Sequence, residues 1–192
     1  REAVETMTEL IEYYKGIFTI LSSCASRQLE EVTFRRTVIP VQELLDAAGK
    51  YFKKLMKNRS ERIELEIESM EAKVIGDVNQ LRFLLENLID EALTVREDGV
   101  IRLQARKDNE YIRFLFTDTR REKSVEELNQ LFYPNLARMT SGEKGELRGT
   151  EYLVCKQIIR DHDEFAGRRG CRINAEPAEG GGFTVYFTIP RR

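Results

Sequence analysis

The segment Asp77–Leu93 constrains the fold more than any other, because its residues repeat with the period of an α-helix. In the sequence DVNQLRFLLENLIDEAL, leucine and isoleucine recur every few residues, which predicts an amphipathic helix with one face in the core. Asp77, at its start, is a suitable N-cap. Asn87 and Glu91 are one helical turn apart, so their oxygen atoms are predicted to lie on one face of this helix.

A β-hairpin is predicted after this helix. Apolar residues alternate with polar ones in Ile101–Arg106 and again in Ile112–Phe116, and the polar segment Lys107–Glu110 separates the two runs. That pattern predicts two half-buried strands joined by a turn. The second strand ends at Asp118, after the run FLFT. We therefore expect a buried carboxylate at the end of this strand.

Short strands and helices follow one another along the rest of the chain. Further strands are predicted at residues 37–41, 63–67, 73–75, 171–175 and 183–189, and further helices at residues 41–58, 125–132 and 150–163. Ser124, with Glu127 at capping-box spacing, is predicted to start the shortest helix. The polar segment Tyr133–Arg148 contains Gly and Pro and is predicted to be a mobile loop. This order predicts an α+β fold, a two-layer α/β sandwich with a mixed, mostly antiparallel sheet and helices on one face.

An N-terminal helix is predicted to precede the sandwich. Apolar residues recur there with a heptad period, which is the spacing of a coiled coil or a helical bundle. The two series are Ala3, Leu10, Ile17 and Cys24, and Met7, Tyr14 and Leu21. Two interpretations fit this stripe: the helix packs on its own domain, or it forms a dimer. Because the chain begins without Met inside the pattern, we expect a fragment of a longer protein.

The composition argues against several classes of protein. The 192 residues carry a net charge of −2, which gives no support for binding to nucleic acid or to a membrane surface. No apolar run approaches the roughly 20 residues that span a bilayer, so no membrane segment is expected in this fragment. The hydrophobic content of 41% is enough for a folded core.

The cysteine and histidine content restricts the chemistry. Cys24, Cys155 and Cys171 form an odd set without a CxxC pair, which favours reduced thiols in a cytosolic domain. His162 is the only histidine; this excludes a histidine-rich zinc site and argues against a Ser-His-Asp triad. We expect this side chain to make a contact at the C-terminal end of its helix.

Three segments together carry a family resemblance. They are GDVNQLRFLLENLIDEAL, FLFTDT, and CKQIIRDH followed by INAEPAEGGGFTVYFTIP. In this order and spacing they resemble the N box, the strand before the DxGxG box, and the last helix and hairpin of the catalytic ATP-binding domain of sensor histidine kinases. That domain belongs to the superfamily shared with gyrase, Hsp90 and MutL. The resemblance covers roughly residues 35–190.

The resemblance implies a site for ATP and Mg2+. Asn87 matches the first asparagine of the N box, and Glu91 stands where the family has its metal-binding asparagine, so these two residues would hold Mg2+. Asp118 matches the aspartate that accepts a hydrogen bond from the adenine amino group. Gly149 is the glycine that remains of the second glycine box, which cradles phosphates, and Tyr133–Arg148 would be the ATP lid.

The resemblance also implies a division of the chain and a set of partners. Residues 1–32 resemble the end of a dimerisation and phosphotransfer helix, and residues 33–192 the ATPase domain. The implied protein is a bacterial two-component signalling protein in the cytoplasm, or the cytoplasmic part of a membrane-anchored sensor. Its implied partners are a second copy bound through the N-terminal helix, and a response regulator or sensor domains of the parent chain.

Several residues depart from the family pattern at the implied site. Thr94 stands in place of a lysine that contacts phosphate, and Arg120 and Glu122 stand in place of the glycines of the DxGxG box. Leu147 and Glu151 replace two further glycines, which removes backbone freedom that the family uses. Carboxylates at 91, 122 and 151 would cost several kcal/mol of triphosphate binding at an effective dielectric near 20.

Two functions therefore remain open. In one, the domain is a degenerate kinase-like module, a pseudokinase with weak or no ATP binding that relays signals or docks partners. In the other, it is a divergent but active histidine kinase that phosphorylates a histidine outside the fragment. The sequence alone also leaves simpler roles open: Asp118 could cap the turn after its strand, and Arg120, Arg121 and Lys123 could form a solvated loop.

Overall fold

The computed structural model describes residues 3–8, 10–11, 14–15, 34–133, 140–141 and 147–192. The chain forms two compact units. The first consists of Arg1–Thr33 with Tyr133–Thr150, and the second of Phe34–Phe132 with Glu151–Arg192.

The second unit contains four helices and seven strands among its described residues. In chain order they are β1 (Thr37–Pro40), α1 (Val41–Met56), β2 (Ile63–Ile67), β3 (Lys73–Gly76), α2 (Val78–Ala92), β4 (Gly99–Asp108), β5 (Tyr111–Asp118), α3 (Val125–Asn129), α4 (Glu151–Phe165), β8 (Ile173–Pro177) and β9 (Phe183–Pro190). The first unit supplies β6 (Thr140–Ser141) and β7 (Leu147–Arg148), which pair antiparallel.

One mixed sheet organises the second unit. Its strand order is β2-β4-β5-β9-β8; β2 runs parallel to β4, and the other neighbours are antiparallel. The strands β1 and β3 form a separate antiparallel pair. This confirms the predicted α+β class with a mostly antiparallel sheet.

The core lies between the sheet and the helices. Alternate residues of β4 and β5 are buried, as the period-two pattern predicts. They share one apolar cluster with the apolar faces of α1, α2 and α4. At its centre Phe114 of β5 stacks on Phe187 of β9, with ring centroids 4.9 Å apart. Burial of this apolar surface is the main stabilising contribution to the sandwich.

Local capping signals in the sequence are found in the structure. The side chain of Asp77 accepts hydrogen bonds from the backbone N–H groups of Asn79 and Gln80, at 3.0 and 3.1 Å. Ser124 and Glu127 form both bonds of the predicted capping box.

The shortest helix ends earlier than predicted. The predicted span was 125–132, but α3 ends at Asn129, and the N–H of Gln130 is shared between the carbonyls of Glu126 and Glu127. The N–H of Leu131 donates to the carbonyl of Leu128 at 3.2 Å, which is the tighter 3₁₀ geometry typical of a helix end. Leu131 and Phe132 are nevertheless buried. Their apolar side chains pack in the core, although these residues are not part of the helix.

The predicted N-terminal helix is described in part. Residues 3–8, 10–11 and 14–15 are helical. Five large apolar side chains of this stretch are exposed: Val4 67%, Met7 63%, Leu10 48%, Ile11 50% and Tyr14 66%. The remaining heptad positions, including Ile17, Leu21 and Cys24, lie outside the described residues. The predicted mobile loop also lies mostly outside them, so its mobility stays a prediction.

Among the described residues, no helix combines the length and the apolar character needed to cross a membrane.

Candidate functional site

Asp118 lies at the end of β5, in the middle of the sheet. It pairs in register with Ile101 of β4 and with Phe183 of β9. The side chain is on the buried face of the strand, and the residue is 1% exposed. The chain at Gly182 approaches it so closely that a Cβ there would lie 2.1 Å from the carbonyl oxygen of Asp118. The strand end is thus fixed by its neighbours on both sides.

Both carboxylate oxygens of Asp118 are bound by Arg120. The Nε of Arg120 donates to Oδ1 at 2.9 Å, and Nη2 donates to Oδ2 at 2.9 Å. The backbone N–H of Arg120 also donates to Oδ1, at 3.0 Å. Two parallel bonds between a guanidinium and a carboxylate are the strongest common arrangement of this pair. The two side chains are 1% and 2% exposed, so the pair is shielded from water.

Arg120 also caps the end of α2. Its Nη2 donates to the carbonyl of Ala92 at 2.6 Å, and its Nη1 donates to the carbonyls of Val95 and Glu97 at 3.3 and 3.1 Å. The carbonyl of Ala92 belongs to the last turn of α2 and the other two follow it. Backbone acceptors at a helix end lack helical partners, and the dipole there favours a cation. The interpretation of Arg120 as part of a solvated loop is therefore wrong.

Gly99 provides the space for the Arg120 side chain. It has a φ of +143°, and a Cβ at this position would lie 2.6 Å from Cγ of Arg120. A residue other than glycine would therefore collide with the buried arginine and would adopt an unfavourable backbone conformation. The sequence signal for this arrangement was a glycine at the start of β4 together with an arginine two residues after the strand-end aspartate.

Arg121 lies between the two carboxylates of the site. Its Nε donates to Oδ2 of Asp118 at 3.3 Å, and its Nη1 is 4.0 Å from Oε1 of Glu91. Its guanidinium lies over the ring of Phe183, 5.6 Å from the centroid, and the ammonium of Lys123 lies 5.4 Å from the same centroid. Cationic side chains thus line this end of the sheet.

The two predicted metal ligands are both buried on α2. Asn87 is 7% exposed and Glu91 is 9% exposed. The Nδ2 of Asn87 donates to the carbonyl of Phe83 at 2.8 Å. The hydroxyl of Thr94 donates to the carbonyl of Glu91 at 2.6 Å. Both residues therefore lie on one buried face of the helix, where the Asn87 amide bonds to the backbone of the preceding turn and the Glu91 carbonyl accepts from Thr94.

The fourth predicted site residue lies in the other unit. Gly149 belongs to the first unit and has a φ of +85°, a conformation that favours glycine. Glu151 is the first residue of α4, in the second unit.

Comparison with known proteins decides the family. A family model described as histidine kinase-, DNA gyrase B-, and HSP90-like ATPase matches residues 76–192, which is more than half of the chain. The chain belongs to this family. No curated protein matches the sequence.

Solved structures of histidine kinases share the fold. The nucleotide-free catalytic domain of histidine kinase ThkA is 21% identical, with a TM-score of 0.63, and the match covers 82% of this chain and 96% of that one. A mycobacterial sensor histidine kinase, MprB, is 19% identical with a TM-score of 0.62, covering 82% and 99%. ThkA in complex with the response regulator TrrA is 19% identical with a TM-score of 0.63, covering 98% of this chain and 52% of that one.

One residue of the implied Mg-ATP site, Asp118, has its carboxylate bonded within the chain. The carboxylate expected to accept the adenine amino group has both oxygens bound by a guanidinium. The family fold is thus present, while the carboxylate implied to contact the adenine is bound by Arg120.

His162 has a structural role that the sequence did not indicate. The residue is 0% exposed, and its Nδ1 lies 2.8 Å from the carbonyl of Ile158. Its Nε2 accepts a hydrogen bond from the backbone N–H of Asp77 at 3.1 Å, so the ring proton is on Nδ1. Burial lowers the pKa of this imidazole. The neutral ring therefore joins α4 to the N-cap of α2.

Neither Cys155 nor Cys171 forms a disulfide. Cys155 is fully buried. Burial, together with the carboxylate of Asp163, raises the pKa of Cys171 to about 12, which makes its thiolate scarce at neutral pH.

Proposed function

We propose that this chain is the histidine-kinase-like domain of a bacterial two-component signalling protein, and that it relays signals or docks partners without ATP turnover. The observation that carries this proposal is the bidentate bond of Arg120 to Asp118. In the family this aspartate accepts a hydrogen bond from the adenine amino group. Here it accepts hydrogen bonds from the chain's own arginine.

Nucleotide binding would require Asp118 and Arg120 to exchange their bonding partners. For Asp118 to accept the adenine amino group, Arg120 would have to release it and the carbonyls at the end of α2. Each charge-assisted hydrogen bond that is lost contributes about 1.5–3 kcal/mol, against about 1 kcal/mol for the neutral bond gained. The net cost is several kcal/mol, and each 1.4 kcal/mol lowers affinity tenfold. Nucleotide binding is therefore weakened by roughly two orders of magnitude or more.

The metal side of the site supports the same proposal. Glu91 in place of asparagine adds a negative charge beside the position of a triphosphate, and Thr94 supplies no cation. A carboxylate and an amide oxygen are suitable Mg2+ ligands by hardness, so Asn87 and Glu91 are the residues that would hold the ion if a nucleotide bound. Arg121 then competes with the metal for Glu91, since its Nη1 lies 4.0 Å from the carboxylate.

A divergent active kinase is the second candidate. It is favoured by one observation: Asn87 and Glu91 lie together on the buried face of an intact α2. In that case Arg120 would leave Asp118 when ATP arrives, and a histidine outside the fragment would be phosphorylated.

Calorimetry and thermal shift with Mg-ATP and Mg-ADP separate the two candidates. The proposal expects no saturable binding and no rise in melting temperature for the wild-type chain. Asp118→Asn tests the adenine contact, and Asp108→Asn is the matched control because that carboxylate pairs with Arg113 on the same sheet, away from Asp118. A nucleotide dissociation constant of tens of micromolar or lower, lost in Asp118→Asn and kept in Asp108→Asn, would establish the active kinase instead.

A further inference from the structure

The segment 34–36, directly before β1, is bound to the end of α4 and to the start of α2. The chain enters the second unit at Phe34, since the preceding residue, Thr33, belongs to the first unit. The ring of Phe34 meets the imidazole of His162 on α4 edge-on, with ring centroids 4.8 Å apart and planes at 77°. It also lies against the ring of Phe165, at 5.8 Å. Aromatic contacts with α4 therefore fix the point where the chain enters the unit.

Asp77 holds the same segment to the start of α2. Its Oδ2 accepts a hydrogen bond from the backbone N–H of Arg35 at 2.9 Å, while its Oδ1 caps the helix. Its own backbone N–H donates to Nε2 of His162 at 3.1 Å. The position of Asp77 therefore depends on an imidazole nitrogen that accepts a hydrogen bond, which only the neutral ring provides.

The imidazole of His162 has no room to turn away from this bond. On its other side, Nδ1 is bonded to the carbonyl of Ile158 at 2.8 Å. At Gly76 a Cβ would lie 2.8 Å from both Cδ2 and Nε2 of the ring, so the backbone before Asp77 packs directly against it. A change at Nε2 is therefore transmitted to the backbone of Gly76 and Asp77, because rotation of the ring cannot absorb it.

Protonation of His162 would place two donors against each other. The imidazolium carries a proton on both nitrogens, so its Nε2–H would face the N–H of Asp77, where one hydrogen bond now exists. The charged side chain that acts on the ring is the carboxylate of Asp77. Phe34 and Gly76, which pack against the ring from other elements, carry no charge. The carboxylate is thus the acceptor for the new proton, and in turning to the ring it would release Arg35.

The pKa of His162 sets the range in which this happens. Burial lowers this pKa, while the hydrogen bond to Ile158 and the carboxylate of Asp77 raise it in part. The ordinary pKa of histidine is about 6.5. The ring is therefore neutral at neutral pH and gains its second proton below about pH 6.5.

We propose that His162 is a pH-sensitive switch that controls the attachment of the segment 34–36. With the ring neutral, the segment is held against α4 and the start of α2. With the ring protonated, Asp77 gives up its bond to Arg35, the backbone at residues 76–77 shifts from the ring, and the segment detaches.

The detachment is confined to a few residues. Thr37, the first residue of β1, pairs in register with Gly76 of β3, so the strand pair holds the chain from there on. Arg35 and Arg36 are exposed, and detaching them leaves the apolar core in place. Local opening of this kind costs less free energy than global unfolding. The inference goes beyond the proposed function, since the switch requires neither nucleotide nor a partner.

NMR of the full chain during a pH titration tests the switch. The ring resonances of His162, the only histidine of the sequence, report its protonation, and 15N relaxation reports the order of the backbone. We expect the order parameters of Phe34 and Arg35 to fall from about 0.85 to below about 0.6, with the same midpoint as the ring. The order parameter of Phe114, in the core, should stay near about 0.85.

Variants assign the change to the ring and to its charged neighbour. His162→Gln keeps a neutral acceptor, so the segment should stay ordered over the whole titration. Asp77→Asn keeps an acceptor for Arg35 but removes the charge that favours the imidazolium, so the midpoint should move to lower pH. Asp98→Asn is the matched control and should leave the midpoint unchanged. The carboxylate of Asp98 also accepts from a backbone N–H, that of Arg62 at 2.8 Å, but it does not act on the pKa of His162.

Four results would overturn the inference. The first is a segment that stays ordered while the ring of His162 takes up its proton. The second is the same loss of order in His162→Gln. The third is loss of order at Phe114 with the same midpoint, which would mean unfolding of the whole domain. The fourth is a ring that stays neutral down to the pH at which the domain unfolds.

Discussion

Arg120 and Asp118 depend on each other for their burial. Each is almost inaccessible to water, and an ionised side chain in such a place needs a partner. The same guanidinium supplies donors to the carbonyls of Ala92, Val95 and Glu97. At the scale of single residues, this one side chain therefore satisfies both a strand end and a helix end.

Replacing Arg120 with Met should be strongly destabilising. It removes the main partner of a buried carboxylate, and loss of one member of a buried pair costs about 3–5 kcal/mol. The matched control is Arg102→Met, because Arg102 pairs with Glu66 at 2.8 Å with both side chains about half exposed; there the loss should stay below about 1 kcal/mol. Urea denaturation of both variants measures the difference. Similar losses would show that Arg120 is not the partner described here.

His162 should make stability depend on pH. Burial lowers its pKa in the folded state, whereas in the unfolded chain the pKa is near 6.5. Below about pH 6.5 the unfolded state therefore binds more protons, and the free energy of unfolding falls as the pH falls, by at most about 1.4 kcal/mol per pH unit. Above that range this contribution is fully present.

Denaturation at a series of pH values between about 7.5 and 5.5 measures this dependence. His162 is the only histidine of the sequence, so the slope can be assigned to it. The variant His162→Gln should be less stable at neutral pH and should lack most of the slope. An unchanged slope in that variant would rule out His162 as its source.

At the scale of elements, the close approach of β9 to β5 depends on glycine. Gly182 has a φ of +84°, and a Cβ there would overlap the carbonyl of Asp118 at 2.1 Å. Gly180, in the same turn, has a φ of +87° but nothing within 4 Å of its Cβ position. The two glycines therefore separate the effect of steric overlap from that of backbone conformation alone.

Alanine at these two positions should have very different effects. Gly180→Ala should cost about 1 kcal/mol, the strain of a left-handed residue. Gly182→Ala should cost about 3 kcal/mol or more, because the strand end must also move. Thermal or urea denaturation of both variants checks this. Equal costs would mean that the strand end tolerates displacement at Asp118.

Helices and strands were predictable where the residues that determine them are close together in the sequence. Asp77 caps α2 and Ser124 caps α3 because a capping side chain and the backbone N–H groups that donate to it are a few positions apart. The alternation in β4 and β5 likewise reports which face is buried. The inward turn of Arg120 was not predictable in this way, since it depends on the end of α2 and on Gly99, which meet Asp118 only in the folded sheet. For the same reason, the role of His162 at the N-cap of α2 was missed.

At the scale of the whole molecule, the N-terminal helix is the feature that exposes apolar side chains in a continuous stripe. Its exposed stripe includes Met7 and Leu10, and we propose that it forms a homodimer through this stripe. The predicted division into residues 1–32 and 33–192, and binding of a response regulator or of sensor domains of the parent chain, also stay proposals. A cytoplasmic location is likewise a proposal.

Sedimentation equilibrium tests the dimer. The wild-type chain should dimerise, and Met7→Glu with Leu10→Glu should weaken the dimer at least about tenfold, because buried charges would lie in an apolar seam. Val38→Glu is the control, since this residue is 41% exposed on β1 and outside the stripe. A wild-type chain that stays monomeric at high concentration would contradict the proposed role of the helix.

The central claim is that Arg120 holds Asp118 and that nucleotide does not displace it. NMR of arginine Nε–H groups during a titration with Mg-ATP tests this most directly, with Arg96 as the reference because its side chain is 78% exposed. We predict that the Nε–H of Arg120 exchanges with water far more slowly than that of Arg96, and that its resonance does not move as Mg-ATP is added. Fast exchange at Arg120, or a resonance that shifts to saturation with Mg-ATP, would contradict the claim.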